Sequence, residues 1–440
     1  MILRFVVENF TSFKDAVEFN TFPSSKSHSH ENHKVNHGYV TALRMSAIYG
    51  ANGAGKSNLL IALGLLRTMI LNEGIGDVTI HGDLPFKFDK GCIDKPSGLA
   101  IEFYHNQHIF YYHIEFNRER LFLEELYLSG KTKDIKLFVR KGSSIDINGD
   151  YFDKGFNPQF VDGLDRLVRP NMMLLSFMGK YYPSEMPLVT DAFSWFVDKL
   201  EVIQPRTFSK IIPQLFDSNS RFSELVNSLM PELKTGISRL AVRKEELTEE
   251  NAKGNDTLLR LIKQAKFYPG EPQVMKVSED VSNIVFENGK VYLKTLVAIH
   301  QTLDGEEVDM SFANESDGTR RLVNYMPLFY AVTNEDKIYV VDEIERSIHP
   351  ILIKSIVEKL SQSEKASGQL IFTTHESGLL DQDIFRPDEI WFAQKDTDQA
   401  TQLYPLSDFN IHKTANIENG YLSGRYGGIP FLSNLKDLHW

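Results

Sequence analysis

The chain has very little cysteine and carries no net positive charge. Cys92 is its single cysteine, so neither a disulfide framework nor a cysteine metal cage can form within one copy. One thiol is typical of proteins from a reducing compartment, which predicts a cytoplasmic location. The formal net charge of −11 confines any contact with nucleic acid to a local patch, and leaves direct contact an open question.

Long apolar runs are also absent. The short run at residues 172–175 is flanked by polar residues and falls far below the length that spans a bilayer. Charges interrupt the apolar residues 1–8, so this stretch does not read as a signal peptide. The sequence therefore excludes a membrane transporter made by this chain alone and predicts no membrane partner.

The 440 residues are enough for two or more core-building units. Strand patterns dominate residues 1–130 and include an antiparallel meander, whereas residues 23–38, rich in Ser, His and Asn, predict a mobile loop. Helical patterns at residues 191–203, 221–230 and 256–265 mark a mostly helical insertion over residues 131–290. Residues 291–440 return to alternating strands and helices and predict the second half of one α/β core.

A glycine-rich loop is the most informative motif. Residues 50–57 read GANGAGKS, between a strand pattern and an apolar-faced helix pattern. Glycines let backbone N–H groups turn onto phosphate oxygens, Lys56 can reach the β- and γ-phosphates and absorb developing charge, and Ser57 can offer its hydroxyl to Mg²⁺. This P-loop predicts ATP and Mg²⁺ as ligands, with nucleotide contacts from Gly50, Asn52, Gly53, Gly55, Lys56, Ser57 and Asn58.

An apolar strand pattern that ends in two acids predicts the other side of this site. Residues 338–343 read IYVVDE. Such a strand is expected to lie beside the P-loop strand and to bring Asp342 to the metal. Glu343, one residue on, is predicted as the catalytic base that polarises the attacking water. A strand that merely ends in an acidic turn is the alternative.

Residues 315–321, ESDGTRR, stand just before a helix pattern. They resemble the signature motif of ABC-type ATPases, with Ser316 and Gly318 at the serine and second-glycine positions, and depart from it at Glu315, Asp317 and Thr319. In that family this segment faces the γ-phosphate bound by the opposite subunit, so Ser316 and Gly318 are predicted nucleotide contacts. A simple helix cap formed by Asp317 is the alternative.

His375 follows the strand pattern of residues 369–373. It resembles the switch histidine of ABC-type ATPases, which contacts the γ-phosphate, and is therefore a predicted catalytic residue. A structural histidine is the alternative. Residues 345–350 occupy the place of the family's D-loop, which communicates across the dimer, and no residue is assigned to the glutamine loop.

Together these motifs resemble the ABC-type ATPases of the RecF, SMC and OLD lineage. The segment with Asn9 and Phe10 also resembles the N-terminal strand motif of that lineage. More narrowly, with the tail at residues 421–431, the chain resembles the RloA-like AAA/ABC-type ATPases of bacterial anti-phage defence, similar in kind to the ATPase subunit of the PARIS system. The resemblance implies an α/β P-loop ABC-type ATPase core, with a mixed sheet plus an antiparallel β lobe, and a homodimer or higher homo-oligomer that shares its ATP sites.

The same resemblance implies an ATPase switch that controls a separately encoded effector, often a TOPRIM-type nuclease, after a phage-derived trigger. Two rivals stay open. A DNA-repair or DNA-tethering ATPase of the same fold would use long heptad arms, and residues 131–290 show no sustained heptads. The second rival is a scaffold that binds ATP without useful turnover. It stays open because the signature residues are partly substituted.

Overall fold

The computed structural model describes residues 1–75, 84–151, 161–205, 212–267, 273–277, 280–412 and 415–429. Its strands, in chain order, are β1 Ile2–Glu8, β2 Val17–Asn20, β3 Lys34–His37, β4 Val40–Leu43, β5 Met45–Gly50, β6 Ser97–His105, β7 His108–Phe116, β8 Leu121–Leu128, β9 Ile135–Lys141, β10 Ser144–Ile147, β11 Leu200–Ile203, β12 Arg239–Leu247, β13 Gln273–Val277, β14 Asp280–Glu287, β15 Lys290–Gln301, β16 Glu307–Ser311, β17 Ile338–Val341, β18 Gln369–Thr373, β19 Ile390–Lys395 and β20 Thr401–Pro405.

The α-helices are α1 Lys56–Leu71, α2 Lys90–Ile93, α3 Val161–Leu167, α4 Leu174–Tyr181, α5 Pro187–Ser194, α6 Ile212–Ser218, α7 Ser220–Glu232, α8 Asp256–Phe267, α9 Asp317–Asn334, α10 Pro350–Ser361 and α11 Ile417–Leu422. None of the helices in the described residues has the length and apolarity that crossing a membrane requires.

The chain forms two compact units. The first unit comprises Met1–Pro205, Val332–Ile344 and Lys354–Trp440, and the second comprises Arg206–Ala331 and Glu345–Ile353. The three-part division with limits at residues 130 and 290 stays a prediction.

An antiparallel β lobe in the first unit has the strand order β10-β9-β8-β7-β6-β1-β2. The hairpin between β6 and β7 turns at Asn106 and Gln107, whose φ angles of 45° and 67° are the left-handed values that two-residue hairpins use. This lobe confirms the predicted meander. Its inner face joins the apolar core, where Trp195 stacks on Phe103 with ring centroids 4.1 Å apart.

A buried carboxylate joins this lobe to α4. The first two N–H groups of α4, at Leu174 and Leu175, donate to Glu124 over 2.7 and 2.8 Å. The Tyr112 hydroxyl donates to the same carboxylate over 2.9 Å. Burial raises the pKa of Glu124. These bonds satisfy helix N–H groups that would otherwise lack partners in the core.

The second sheet of the first unit has the order β11-β17-β18-β5-β19-β20. Its first five strands are parallel, and β20 runs antiparallel to β19. All six residues of β5 are buried, as expected of a parallel strand covered on both faces. This sheet carries the P-loop, the two acids and the predicted switch histidine at the carboxyl ends of its strands.

Two local predictions in the first unit are wrong for part of their length. Residues 23–38 contain β3, which pairs with β4, and the ring nitrogens of buried His33 contact the Glu389 carboxylate and the Ser361 carbonyl, each at 2.9 Å. Partners more than 300 positions away order this segment, so its local composition does not show it. The predicted helix at residues 191–203 gives way after residue 199 to β11, which pairs with β17.

The second unit is built on a sheet with the order β12-β15-β14-β13, in which β16 also pairs with β15. A small apolar cluster of Ala252, Ile262, Ile284 and Val291 packs α8 against β14 and β15. The helices predicted at residues 221–230 and 256–265 are confirmed as α7 and α8. Strands accompany the helices within residues 131–290, and residues 152–160, 206–211, 268–272 and 278–279 of that segment lie outside the described residues.

Candidate functional site

The P-loop begins where β5 ends, at the carboxyl edge of the parallel sheet. A Cβ on Gly50 would lie 2.5 Å from the Ala393 carbonyl oxygen on the neighbouring β19, so the close approach of these two paired strands requires glycine. Gly53 and Gly55 have φ angles of 77° and 103°, which side chains rarely adopt. The strand, loop and helix predicted from the sequence are confirmed here.

Hydroxyl groups form the outer wall of this loop. A Cβ on Gly55 would overlap Thr401 Oγ1 and lie 2.8 Å from Ser12 Oγ. Thr401 Oγ1 is 2.9 Å from the Ala54 carbonyl, to which it must donate, and 2.8 Å from Ser12 Oγ. The Asn58 amide also donates to Ser12 Oγ, over 2.8 Å. Ser12 and Thr401 were not predicted, because residues far apart in the chain meet here only after the strands pair.

Lys56 lies across the loop that precedes it. Its ammonium donates to the Gly50 carbonyl over 2.7 Å and to the Ala51 carbonyl over 3.2 Å, and the side chain is 5% exposed. It is also the first residue of α1, whose N-terminal N–H groups favour an anion. A buried positive charge beside a helix N-terminus is an environment that suits a phosphate. Asn52, in contrast, is exposed at the loop tip.

Ser57 and Asp342 meet at the start of α1. The Ser57 hydroxyl donates to Asp342 Oδ1 over 3.1 Å, and Asp342 is 5% exposed. Within the described residues, no cluster of three His, Cys, Asp or Glu side chains could hold a metal alone. Mg²⁺ keeps several waters and substrate phosphates as ligands, so one hydroxyl and one carboxylate are a donor set that fits it.

The acid strand does not lie beside the P-loop strand, contrary to the prediction. β17 pairs with β11 and β18, and β18 separates it from β5. α1 bridges this gap because it crosses the sheet toward β11, where a Cβ on Gly64 would lie 3.4 Å from Val202 Cγ1. The two predicted metal ligands therefore meet across an intervening strand.

Glu343 has a left-handed backbone conformation, which residues other than glycine rarely adopt. Its φ angle is 51°, which costs roughly 1–2 kcal/mol in a residue with a Cβ. Its N–H donates over 2.8 Å to Thr373 Oγ1, at the end of β18. The Glu343 side chain is half-buried, next to buried Asp342. Residues held in such sparsely populated backbone conformations cluster at functional sites.

His375 stands two residues beyond β18, at the same sheet edge. Thr373 pairs with Ile48 of β5, and the Thr374 N–H donates to the Ile48 carbonyl over 3.1 Å. These bonds bring the end of β18 next to the carboxyl end of the P-loop strand. The His375 side chain is exposed. The order of predicted groups along the edge is thus the acids, the histidine strand and the P-loop strand.

The N-terminal motif supports the loop beside the site. Asn9 Nδ2 donates to the carbonyls of Cys92, Lys95 and Pro96 over 2.9 to 3.2 Å, while Asn9 Oδ1 accepts from the Phe86 N–H over 3.0 Å. Its φ angle of 44° is left-handed, a conformation in which asparagine is over-represented. Asn9 therefore organises residues 86–96 rather than facing the sheet edge.

Lys14 also links residues 86–96 to a more distant part of the chain. Its ammonium lies 3.1 Å from Asp89 and 3.1 Å from Asp398, and both hydrogen-bonded carboxylates raise the pKa of Lys14.

The tail packs on the P-loop strand. Tyr421 lies edge-on to Tyr49, with ring centroids 5.9 Å apart, and stacks on Phe392 at 5.5 Å. The backbone of Gly427 fits against Gln394 and Tyr404 where a Cβ would overlap both side chains. Residues 430 and 431 of the tail motif lie outside the described residues.

In the second unit, the signature-like segment forms the start of α9. Ser316 Oγ accepts from the Thr319 N–H over 3.1 Å, so Ser316, and not Asp317, caps the helix. Asp317 instead bonds Arg320 over 2.7 Å, and Glu315 contacts His300 at 2.7 Å. Ser316 is exposed at a helix N-terminus, where an anion is favoured.

The D-loop segment packs directly on this helix start. A Cβ on Gly318 would lie 2.6 Å from the Ser347 carbonyl oxygen, so glycine is required for the approach. Ser347 itself has a φ of 61°. The signature-like segment and the D-loop segment, which the ABC-type resemblance assigns to the contact between two copies, therefore touch each other within one unit.

Several solved structures resemble the chain. The SMC head domain from Thermotoga maritima has 12% identity and a TM-score of 0.37, over 93% of this chain and 99% of that one. The SMC head bound to the C-winged helix domain of ScpA has 14% identity and a TM-score of 0.40, over 92% and 97%. An SMC head with an extended coiled coil, bound to the C-terminal domain of ScpA derived from Pyrococcus furiosus, has 13% identity and a TM-score of 0.40, over 92% and 96%.

A search of the curated proteins finds no match to this chain. One family model, described as "AAA domain, putative AbiEii toxin, Type IV TA system", matches residues 45–381. That range contains the P-loop, the signature-like segment, the acid strand and His375. The chain therefore belongs to this AAA domain family and has an α/β P-loop ATPase core.

Proposed function

We propose that this chain binds and hydrolyses ATP at the carboxyl edge of the β5–β18–β17 sheet. The P-loop amides and Lys56 would hold the phosphates, and Ser57 and Asp342 would hold Mg²⁺, which neutralises phosphate charge during transfer. Glu343 would orient and polarise the attacking water, and His375 would contact the γ-phosphate. Gly50, Gly53 and Gly55 would allow the loop to close around the phosphates, with Asn52 and Asn58 at its rim.

One observation carries this proposal. Ser57, Asp342, Thr373 and Glu343 form a continuous hydrogen-bonded chain over 2.6 to 3.1 Å, immediately beside a buried lysine at a helix N-terminus. This arrangement places a hydroxyl, a carboxylate, an ammonium and a second carboxylate at one sheet edge. Those are the groups that phosphoryl transfer to water needs.

We further propose that two copies enclose each nucleotide. Lys56 belongs to the first unit, and Ser316 and Gly318 belong to the second. Ser316 is an exposed helix cap, and Gly318 fits the D-loop closely, as expected of a segment that meets the γ-phosphate held by the other copy. ATP would then join the copies, and hydrolysis would loosen them.

The switch would act on a separately encoded effector in anti-phage defence, in the cytoplasm. Support comes from the family description, which names a toxin and a toxin–antitoxin system, and from the resemblance to RloA-like defence ATPases. A TOPRIM-type nuclease is the effector that the resemblance favours, with a phage-derived trigger. A nuclease or toxin encoded next to this chain would support the assignment, and repair genes in that place would contradict it.

The first experiment compares Glu343→Gln with Lys56→Ala. Glu343→Gln keeps the side-chain shape but removes the base, so it should bind ATP, stop turnover and accumulate as a dimer on size-exclusion chromatography. Lys56→Ala should lose both ATP binding and the dimer. If Glu343→Gln hydrolyses ATP at the wild-type rate, Glu343 is not the catalytic base. Wild-type protein that binds ATP but never hydrolyses it, with or without its partner, would favour the scaffold.

The second experiment tests whether the site is shared. Ser316→Asp keeps a good helix cap but places a negative charge against the phosphate. Ser316→Asp and Lys56→Ala should each be inactive alone. Only a mixed dimer holds a complete site, one of its two, in which Lys56 of one copy faces Ser316 of the other. An equal mixture should therefore recover turnover, up to about half of the wild-type value. No recovery would mean that the nucleotide is held by a single copy. DNA binding that falls steeply with salt would favour the tethering rival.

A further inference from the structure

Thr373 is a fully buried residue that connects the two acids of the candidate site. It ends β18, between the P-loop strand β5 and the acid strand β17. Its backbone is fixed on both sides, because it pairs with Ile48 on β5 and its carbonyl accepts from the Ile344 N–H over 3.1 Å. Neither the P-loop motif nor the acid motif includes this residue.

The hydroxyl of Thr373 makes two directed hydrogen bonds. The Glu343 N–H donates to Oγ1 over 2.8 Å, and Oγ1 is 2.6 Å from Asp342 Oδ1. A backbone N–H can only donate, so the single hydroxyl proton is available for the Asp342 carboxylate. One side chain thus holds the carboxylate of the first acid and the backbone of the second.

These bonds divide the two oxygens of Asp342. Oδ1 accepts from Thr373 and from Ser57, over 2.6 and 3.1 Å. Oδ2 has no hydrogen bond within the part of the chain that the structure describes, and the carboxylate cannot rotate without breaking both bonds to Oδ1. The oxygen left for a metal or its bound water is therefore chosen by Thr373 and Ser57.

The second bond acts on Glu343. Its φ angle of 51° is unfavourable for a residue with a side chain, and its N–H is held by the hydroxyl of Thr373, which is 0% exposed. The bond maintains the left-handed turn from which the Glu343 side chain projects. Loss of the hydroxyl would release this turn and the Asp342 carboxylate together.

We infer that Thr373 is a positioning residue that presents Asp342 to Mg²⁺ and fixes the backbone of Glu343 for water activation. The inference rests on the proposed ATPase function. It concerns residues of this chain that orient a metal ligand, and groups that hold a metal ligand commonly change metal affinity about 10- to 100-fold when removed. The expected signature is therefore a defect in metal dependence and turnover, with nucleotide binding preserved.

The test uses Thr373→Val, which keeps the shape and removes the hydroxyl, and Thr373→Ser, which keeps the hydroxyl. Thr21→Val is the matched control, because Thr21 is equally buried and its hydroxyl donates to the Ile2 carbonyl over 2.8 Å, away from the acids. Mn²⁺ affinity is measured by electron paramagnetic resonance with a non-hydrolysable ATP analogue. Turnover is measured against Mg²⁺ concentration, and folding is measured by thermal unfolding.

Thr373→Val should weaken Mn²⁺ binding and lower turnover by at least about tenfold, and Thr373→Ser should stay within about threefold of wild type. Analogue binding in EDTA should be unchanged, and Thr21→Val should alter thermal unfolding alone. Wild-type Mn²⁺ affinity in folded Thr373→Val would overturn the inference, as would a Thr373→Ser protein as defective as Thr373→Val. If the wild-type protein binds no nucleotide at all, the proposed function fails first.

Discussion

Gly318 and Gly163 are two helical glycines for which the structure predicts opposite effects of the same substitution. Gly318 is the second residue of α9, and a Cβ there would lie 2.6 Å from the Ser347 carbonyl oxygen. Gly163 lies in α3, and a Cβ there would meet nothing within 4 Å. Ala has the higher helix propensity in both places, so only the surroundings differ.

The magnitudes follow from these distances. To reach an ordinary contact, the Ser347 carbonyl must retreat from 2.6 to 3.4 Å, in a residue already held at a φ of 61°. Overpacking of this kind costs roughly 1–3 kcal/mol, against a helix gain of at most about 1 kcal/mol. Gly318→Ala should therefore lower the free energy of unfolding by about 1 kcal/mol, while Gly163→Ala should raise it by up to about 1 kcal/mol.

Urea unfolding of both variants measures the stabilities, and two further assays separate stability from function. The nucleotide affinity of monomeric Gly318→Ala should stay near that of the wild-type monomer, because the P-loop belongs to the other unit. Turnover should fall by about a hundredfold if the D-loop is displaced by almost 1 Å. A Gly318→Ala protein that gains stability as Gly163→Ala does, and turns over ATP normally, would refute the close packing of Gly318 on Ser347.

Three other predictions concern the first unit. Gly55→Ala combines a φ of 103° with overlap at Thr401, so it should abolish binding of a fluorescent ATP analogue, and retained affinity would contradict the tight wall. Glu124→Ala removes the buried carboxylate that two helix N–H groups and Arg140 contact, so chemical denaturation should show that the free energy of unfolding falls by about 3–5 kcal/mol. A fall below about 1 kcal/mol would contradict the proposed role of this carboxylate. Burial lowers the pKa of His37 to about 4, below its unfolded value, so the unfolded state binds the extra proton and stability should fall as the pH drops from about 6.5 to 4. Because His37 is partly exposed, the expected decrease in the free energy of unfolding is about 1 kcal/mol. His37→Phe can still stack on Tyr104 but has no proton to bind, so its stability should not show this decrease when unfolding is measured against pH.

Local motifs predicted the strands and helices around the candidate site. The P-loop context, the acid strand and the helix after Ser316 each depend on short-range rules: glycine conformation, apolar runs and N-terminal capping. Within those rules the sequence could not tell which residue caps α9, because Ser316 and Asp317 are both good caps. The structure assigns the cap to Ser316.

Long-range pairing explains what the sequence did not show. The position of β18 between β5 and β17 depends on partners more than 300 residues apart, as β5 pairs with Thr373 through Ile48. Thr373 reads as an ordinary strand residue until that order is known. The same holds for Ser12 and Thr401, whose hydroxyl contact joins opposite ends of the chain over 2.8 Å.

The order of strands in the parallel sheet also affects how the chain can be made. β5 emerges early from the ribosome, yet both of its neighbours, β18 and β19, are translated more than 300 residues later. Until then a strand that is entirely buried in the folded protein has neither edge paired, which is a hazard for aggregation during synthesis. We therefore expect the nascent chain to need chaperone protection, and the nucleotide site to become competent only after translation has passed residue 395.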